Sequence, residues 1–226
     1  MTKLDRTIID SIEKFECKFR RERLNVIKEE AQEDNPNECY PDTFWCESDM
    51  KYWMATEFSK TLRKDGVEIH TEVPINSTIF NKNRVKELYR MINEGKREKD
   101  RVKLWKPDLG IFSSEEHGES ESYALMEFTF VPEMRKTPFR DGSAPEGELK
   151  GALKKLEDEA ERLQSAVDLE ITGQGWIVFV HELLYELISD NPEVRSRFGR
   201  IKSNYRSIKF NLIGTTYKER AEAAGS

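Results

Sequence analysis

The hydrophobic positions at the start of the chain follow a helical period. Ile8, Ile12, Phe15 and Phe19 are separated by four, three and four residues, which places them on one face of a helix. Most of the intervening positions are polar or charged, so the opposite face is suited to water. The pattern predicts a helix over residues 3–33, and the Asn-Pro-Asn sequence that follows favours its end.

Three later stretches are also helical in pattern. A helix is predicted over residues 48–64, because Ser48 is a good N-cap and Asp49 lies in the first turn. Residues 81–103 predict a strongly charged helix. The clearest amphipathic stripe predicts a helix over residues 146–169, and its members recur every four or three residues: Leu149, Leu153, Leu156, Ala160, Leu163 and Val167.

Shorter apolar runs rich in aromatic and branched residues predict strands. The first covers residues 67–75, and the clearest buried strand is Trp176–Val180. Between them, residues 106–112 and 123–130 are joined by a polar, turn-forming loop, which predicts a hairpin. A short helix over 182–190 and a strand over 207–217 are predicted nearer the C-terminus. The expected fold class is α/β, with a mixed central sheet flanked by helices and extra helices at both ends.

Two acidic residues of the predicted hairpin are candidates for chemistry. Asp108 lies at the start of the first strand and Glu127 near the end of the second. In an antiparallel pair these positions are neighbours, and two close carboxylates raise each other's pKa. A divalent cation relieves that repulsion, and Mg²⁺ or Mn²⁺ is commonly held by a few carboxylates together with phosphate and water. The alternative is structural: Asp108 caps a turn after Pro107, and Glu127 meets an arginine.

Pro107-Asp108 and Glu127-Phe128-Thr129 resemble the motif of the PD-(D/E)XK nuclease superfamily. The form with Thr129 in place of the motif lysine is similar to the cap-snatching endonuclease domain at the N-terminus of polymerases of segmented negative-strand RNA viruses. The resemblance covers about residues 45–185. It implies that Asp108 and Glu127 hold one or two Mn²⁺ or Mg²⁺ ions, and that Thr129 positions rather than reacts.

The resemblance also implies further site residues. A third carboxylate from the preceding helix is carried over to Glu57, and the backbone carbonyl of Phe128 is a further metal ligand. The catalytic lysine of the similar domains lies on the helix after the hairpin. Lys155 is the first choice and Lys154 the second, with Lys136 in the preceding loop as a third candidate and Lys150 also standing off the apolar stripe.

Composition limits the class of protein. The chain has 226 residues, 35% of them charged, and a net charge of −6, which suits one domain with helical extensions. The negative charge does not indicate a nucleic-acid-binding protein. It leaves one possible, because basic patches can lie apart from an acidic metal site. Three scattered cysteines fit a reducing compartment, and the absence of a long apolar run argues against a membrane segment. An intracellular protein is expected, in the cytoplasm of an infected host cell if the viral resemblance holds.

The C-terminal stretch suggests a partner. Basic residues dominate 195–220 and are interleaved with Phe198, Tyr205 and Phe210, a combination typical of single-stranded nucleic-acid binding. The same aromatics are equally compatible with a core strand. The expected organisation is a helical extension over 1–44, a nuclease-like core over 45–190 and a basic extension over 191–226 that packs on the core.

The leading functional hypothesis is a metal-dependent RNA endonuclease of a viral polymerase. Its partners would be single-stranded RNA, capped if the viral resemblance holds, and the remainder of the polymerase. Two alternatives stay open: a bacterial or phage DNA nuclease of the same superfamily, and a catalytically silent module that binds nucleic acid or protein. The second is favoured by Thr129, which stands where the motif lysine is expected.

Overall fold

A computed structural model describes most of the chain, namely residues 2–32, 47–62, 66–76, 78–113, 122–131, 146–181, 188 and 191–225. Its helices are α1 (Lys3–Gln32), α2 (Glu47–Leu62), α3 (Lys82–Ile92), α4 (Glu146–Asp168), α5 (Pro192–Asn204) and α6 (Tyr217–Ala224). Its strands are β1 (Val67–Thr71), β2 (Leu109–Ser113), β3 (Ser122–Val131), β4 (Gly175–His181) and β5 (Ile208–Ile213).

The strands form one five-stranded mixed sheet in the order β1-β2-β3-β4-β5. The first three are antiparallel neighbours, and β4 and β5 continue the sheet in parallel. The predicted hairpin is present as β2 and β3, with Leu109 opposite Met126. The prediction of an α/β fold with a mixed central sheet flanked by helices is therefore confirmed.

The sheet is covered by helices on both faces because its central strands are apolar on both sides. Met126 and Phe128 of β3 pack with buried residues of α1 and α2. Leu125 of β3 and Ile177 of β4 pack with α3, α4 and α5 on the opposite face. Since successive residues of a strand alternate between faces, Glu127 points to the face that α4 covers.

Both ends of the chain are built into this arrangement. In α1, Ile8, Phe15 and Phe19 are fully buried, as their spacing predicted. At the other end, β5 pairs with β4 along its whole length. Residues 208–213 are therefore a strand of the central sheet rather than part of an extension packed on it. The last helix, α6, packs against α1, and Arg20 of α1 forms an ion pair with Glu219.

Three elements are markedly shorter than their patterns predicted, and one of them is the last strand, which was expected over 207–217 and covers only Ile208–Ile213. The helix expected over 81–103 ends at Ile92, because Asn93 caps it and Gly95 turns the chain at a φ of +69°. The Asn93 side chain then hydrogen-bonds the backbone N–H and C=O of Val102, which fixes the return of the chain. The first strand ends at Thr71 rather than at residue 75, because Glu72 adopts a positive φ of 50°.

Candidate active site

Asp108 and Glu127 lie side by side where β2 begins. Leu109 is opposite Met126, and one step further along the antiparallel ladder places Asp108 opposite Glu127. Asp108 is 8% exposed and Glu127 4% exposed. The structure thus brings together the two carboxylates that the hairpin predicted, and it buries them.

Asp108 is held by one backbone and one side-chain donor. Its Oδ2 accepts a hydrogen bond of 2.7 Å from the backbone N–H of Phe128, and its Oδ1 accepts one of 2.8 Å from Nζ of Lys51. The N–H and C=O of one residue in a strand point to the same side. The Phe128 carbonyl therefore faces the edge of β3 where Asp108 lies, which is the orientation required of the implied metal ligand.

Glu127 is a buried carboxyl under electrostatic strain. Burial raises its pKa well above the ordinary value, and the nearby charges of Asp108 and Glu159 raise it further. Opposing this, Nε1 of Trp105 donates a hydrogen bond of 2.6 Å to its Oε1, and the charge of Arg162 favours the ionised form. The guanidinium of Arg162 lies 6.0 Å from the centre of the Trp105 ring, and its buried Nε has no hydrogen-bond partner among the residues that the structure describes.

Glu159 of α4 is a site residue that the sequence reasoning missed. It is 2% exposed, and its Oε2 accepts a hydrogen bond of 2.6 Å from the hydroxyl of Thr129. Burial raises the pKa of Glu159 to about 7, although Lys155 and the hydroxyl of Thr129 favour the ionised form. A signal was available: Glu159 follows Leu156 by three residues and precedes Leu163 by four, so it lies on the apolar stripe of α4.

The candidate lysines differ in their distance from the acidic cluster. Nζ of Lys155 lies 2.6 Å from Oε2 of Glu47 and 3.5 Å from Oε1 of Glu159. Burial lowers the pKa of Lys155, but the carboxylates of Glu159, Glu47 and, least, Asp108 raise it overall, so this side chain is within electrostatic reach of Asp108. Lys154 points away, because it is exposed and pairs with Asp158 at 2.7 Å. Lys136 and the side chain of Lys150 lie outside the described residues.

Helix α2 reaches the acid pair through its first turns. Lys51 contacts Asp108, and Glu47, one turn earlier, contacts Lys155. Lys51 lies between Glu47 and Glu72, at 3.9 Å from a carboxylate oxygen of each. The result is a row of alternating charges that leads from α4 to Asp108. Sequence reasoning did not single out Lys51 or Glu47.

Glu57 is not brought to the acid pair. It follows Lys51 by six residues, which is about 9 Å along the helix axis and about 120° around it. Its Oε1 instead lies 3.0 Å from Nζ of Lys14 in α1. The structure therefore does not place Glu57 with Asp108 and Glu127 as the resemblance implied, and the contact it shows for this carboxylate is an ion pair between α2 and α1.

The aromatics of the basic C-terminal stretch belong to the core. Phe198 is 6% exposed and packs edge to face against Phe210, with ring centres 6.2 Å apart. Tyr205 is half-buried beside the same cluster. These rings are not free to stack on bases, so the aromatic half of the predicted single-strand signature is absent there. Several basic residues of α5 and the turn after it remain exposed: Arg195, Arg200, Lys202 and Arg206.

The donor atoms at the site fit a hard divalent cation. Within the described part of the chain, no three His, Cys, Asp or Glu side chains are arranged as ligands of one ion. A metal would therefore be held by the Asp108 and Glu127 carboxylates and the Phe128 carbonyl, all oxygen donors. Two carboxylates completed by water and substrate phosphate are a usual coordination for Mg²⁺.

Comparison with known proteins found no match to a protein-family model, to a curated protein or to a solved structure. Among the described residues, no helix has both the length and the apolar character needed to cross a membrane.

Proposed function

We propose that this chain is a divalent-metal-dependent endonuclease that cleaves RNA. The observation that carries the proposal is the buried Asp108–Glu127 pair, beside a third buried carboxyl, Glu159. Burial raises the pKa values of Glu127 and Glu159, and clustering of buried acids in this way is costly for stability and typical of functional sites. A bound divalent cation would offset the repulsion, since it places positive charge where the carboxylates converge.

Each residue of the site has a role that its contacts support. Asp108 and Glu127 hold the cation, and the backbone N–H of Phe128 and the indole of Trp105 orient their carboxylates. A divalent ion held there would polarise the phosphate of the substrate and lower the pKa of a water molecule, so that hydroxide would be available as the nucleophile. Lys155 lies at the flank, where its ammonium offsets negative charge that develops on the phosphate. Thr129 positions Glu159 through its hydroxyl.

The choice of RNA rests on the resemblance of Glu127-Phe128-Thr129 to the cap-snatching domains. On that basis the substrate is single-stranded, capped RNA, and the partner is the remainder of a viral polymerase. Exposed basic residues of α5 offer phosphate contacts without base stacking. The same acid pair would serve a DNA nuclease, so a deoxy substrate belongs in the test.

One observation favours a second candidate, a catalytically silent module. Asp108 already has a cationic partner within the chain, because Nζ of Lys51 lies 2.8 Å from its Oδ1. Thr129, which stands where the motif lysine is expected, bonds to Glu159 instead of facing solvent. Carboxylates that are already paired with a lysine of the same chain do not require a metal ion. Such a protein can keep the fold without catalysis and bind a partner through other surfaces.

Cleavage of a labelled single-stranded RNA decides between these candidates. We expect cleavage with Mn²⁺ or Mg²⁺, none with chelator, and none in Asp108→Ala. Glu57→Ala is the matched control, because it removes a carboxylate from α2 without touching the acid pair. It should retain cleavage within about twofold, since partly exposed ion pairs contribute only about 0–1 kcal/mol to stability.

The outcomes separate the hypotheses. Cleavage of DNA in place of RNA would support the DNA nuclease. Metal binding without cleavage of either substrate would favour the silent module. Equal cleavage by wild type and Asp108→Ala would show that the activity comes from elsewhere, and this would contradict the proposed site.

Lys155 and its neighbour provide a paired prediction. Lys155→Met is expected to lower the cleavage rate by about 100-fold, the range typical of removing one positioned charge or donor at a developing oxyanion. Mn²⁺ affinity should change little, because Lys155 does not contact Asp108 or Glu127 directly. Lys154→Met should keep the wild-type rate, since its side chain is exposed and paired with Asp158. Equal losses in both variants would argue for a general charge effect rather than a positioned lysine.

A further inference from the structure

Lys51 is placed so that its ammonium competes with any cation at the acid pair. It is anchored from α2, whose neighbouring residues Met50 and Met54 are buried under the sheet. Its side chain is only 17% exposed, and its Nζ lies 2.8 Å from Oδ1 of Asp108. The backbone N–H of Phe128 occupies the other carboxylate oxygen. The ammonium therefore holds the Asp108 oxygen that is not already used by the backbone.

A divalent ion and this ammonium do not share the oxygen favourably. Mg²⁺ binds carboxylate oxygen at about 2.1 Å, and the Lys51 nitrogen is 2.8 Å from the same atom. The two positive centres would then lie within about 5 Å of each other, in a setting that water screens poorly. Entry of the ion consequently requires Lys51 to leave Asp108.

Two receiving groups for Lys51 are already in place. Oxygens of Glu47 and Glu72 lie 3.9 Å from its Nζ, one on the same helix and one just after β1. Glu72 is held at that point by its positive φ of 50° and by its backbone N–H, which donates to the carbonyl of Asp108 at 3.0 Å. A small movement of the lysine side chain therefore exchanges one carboxylate for another without leaving the ammonium unpaired.

We propose that Lys51 is an internal counter-cation that occupies the acid pair in the metal-free protein and moves to Glu72 and Glu47 when a divalent ion binds. This proposal rests on the proposed metal site, and it adds that Lys51 regulates how readily the site binds an ion. The ammonium keeps Asp108 paired and the fold intact when metal is scarce. It also sets a higher threshold concentration for loading the site.

Calorimetric titration with Mn²⁺ tests this without any substrate. Lys51→Met keeps the aliphatic stem and removes the charge, so it should lower the Kd for Mn²⁺ by about tenfold or more. Lys14→Met is the matched control: it also removes a lysine from an ion pair with α2, the one with Glu57, and should leave the Kd within about twofold of wild type. Melting curves in chelator establish that both variants are folded.

A second variant reports on the receiving group. In the otherwise wild-type chain, Glu72→Gln should raise the Kd for Mn²⁺ several-fold, because the displaced Lys51 ammonium loses its carboxylate partner. The same change should have no effect in the Lys51→Met background. This non-additivity is expected only if the two side chains act through each other.

The results distinguish failure of the proposed Lys51 role from failure of the proposed metal site. If wild type binds Mn²⁺ and Lys51→Met binds it equally or more weakly, the counter-cation role is overturned while the metal site stands. If neither protein binds Mn²⁺, the proposed metal site fails and the counter-cation role fails with it. If only Lys51→Met binds, Lys51 closes the site in the isolated chain, which supports the proposal.

Discussion

Glu127→Gln is expected to stabilise the metal-free protein while abolishing metal binding. Burial and the charges of Asp108 and Glu159 disfavour the Glu127 carboxylate, and a neutral amide of the same shape removes both penalties. Its carbonyl oxygen can still accept the hydrogen bond from Trp105. Each unit by which the folded protein raises the pKa of a carboxyl disfavours its ionised form by about 1.4 kcal/mol, and the amide does not carry this cost. A chain of this length then melts several degrees higher, since 1 kcal/mol corresponds to about 2–4 °C.

The loss of metal affinity should be at least about 100-fold. Residues that only orient metal ligands cost 10–100-fold when changed, and Glu127 is proposed as a ligand itself. Thermal melting with chelator and with Mn²⁺ measures both effects in one experiment. Wild type should gain stability from Mn²⁺ by mass action, whereas Glu127→Gln should be more stable in chelator and unaffected by the ion.

Glu57→Gln is the control for this substitution. Glu57 is paired with Lys14, so the same change there should lower stability slightly and leave the response to Mn²⁺ intact. A lower melting temperature for Glu127→Gln in chelator would contradict the argument. It would mean that Arg162 and the hydrogen bond from Trp105 make the ionised carboxylate a net source of stability, as in a structural ion network.

The acid pair could be predicted from the sequence because it depends on local order. Apolar runs on either side of a polar loop fix a hairpin, and the hairpin fixes which residues are opposite each other. Asp108 and Glu127 therefore converge whatever else the chain does. The apolar stripe of α4 likewise depends only on the local sequence pattern, and Leu156 and Leu163 are buried as that pattern predicted.

The sequence alone did not show whether Glu57 or Lys51 faces Asp108 and Glu127. Both lie on α2, and which of them faces the acid pair depends on the rotation of the helix on the sheet. That rotation is set by Met50, Met54 and Phe58, which pack into a cluster shared with α1. Contacts between distant parts of the chain thus decide which side chain of α2 reaches Asp108, and a short motif resemblance does not contain that information.

The C-terminal stretch shows a different limit. Phe198 and Phe210 read equally well as a stacking surface or as core residues, because amphipathic spacing does not say what covers the apolar side. Pairing of β5 with β4 resolved the ambiguity. Once residues 208–213 joined the sheet, the rings of this stretch had to cover its face rather than bind bases.

Stability of the metal-free protein is expected to fall as pH rises from about 5 to 8. The Glu159 carboxyl has a pKa of about 7 in the folded chain, against an ordinary value of 4.5. Between these values the folded protein keeps a proton that the unfolded chain has released, so deprotonation favours unfolding. At 1.36 kcal/mol per pKa unit, Glu159 alone accounts for about 3 kcal/mol. Glu127, whose pKa is also raised, adds loss of the same sign.

Groups with lowered pKa values do not contribute to the change in stability between about pH 5 and pH 8. The pKa of Asp5 is lowered by hydrogen bonds from Thr2, Gln174 and Lys209 that outweigh its burial, and that of Glu219 is lowered likewise by Thr216 and Arg20. Both are ionised in the folded and unfolded states above about pH 5. Their stabilising contribution is lost only as pH falls below that range.

Urea unfolding of wild type and Glu159→Gln in chelator, from pH 5 to pH 8, measures the Glu159 contribution. The difference in free energy of unfolding should grow from a small value at pH 5 to about 3 kcal/mol in favour of the variant at pH 8. Histidines common to both proteins cancel in this difference. Glu157→Gln, on the same helix but partly exposed and 3.4 Å from Arg197, is the matched control for loss of a carboxylate from α4.

Metal should reverse the trend, because a cation binds the ionised carboxylates. Mn²⁺ affinity is then expected to rise over the pH range in which metal-free stability falls, since loading the site releases the proton that the buried acids retain. Parallel pH profiles for wild type and Glu159→Gln would show that Glu159 is ionised throughout, held by Lys155 and the hydroxyl of Thr129. In that case the clustered charge would be balanced within the protein, and the electrostatic case for a metal at Asp108 and Glu127 would lose much of its force.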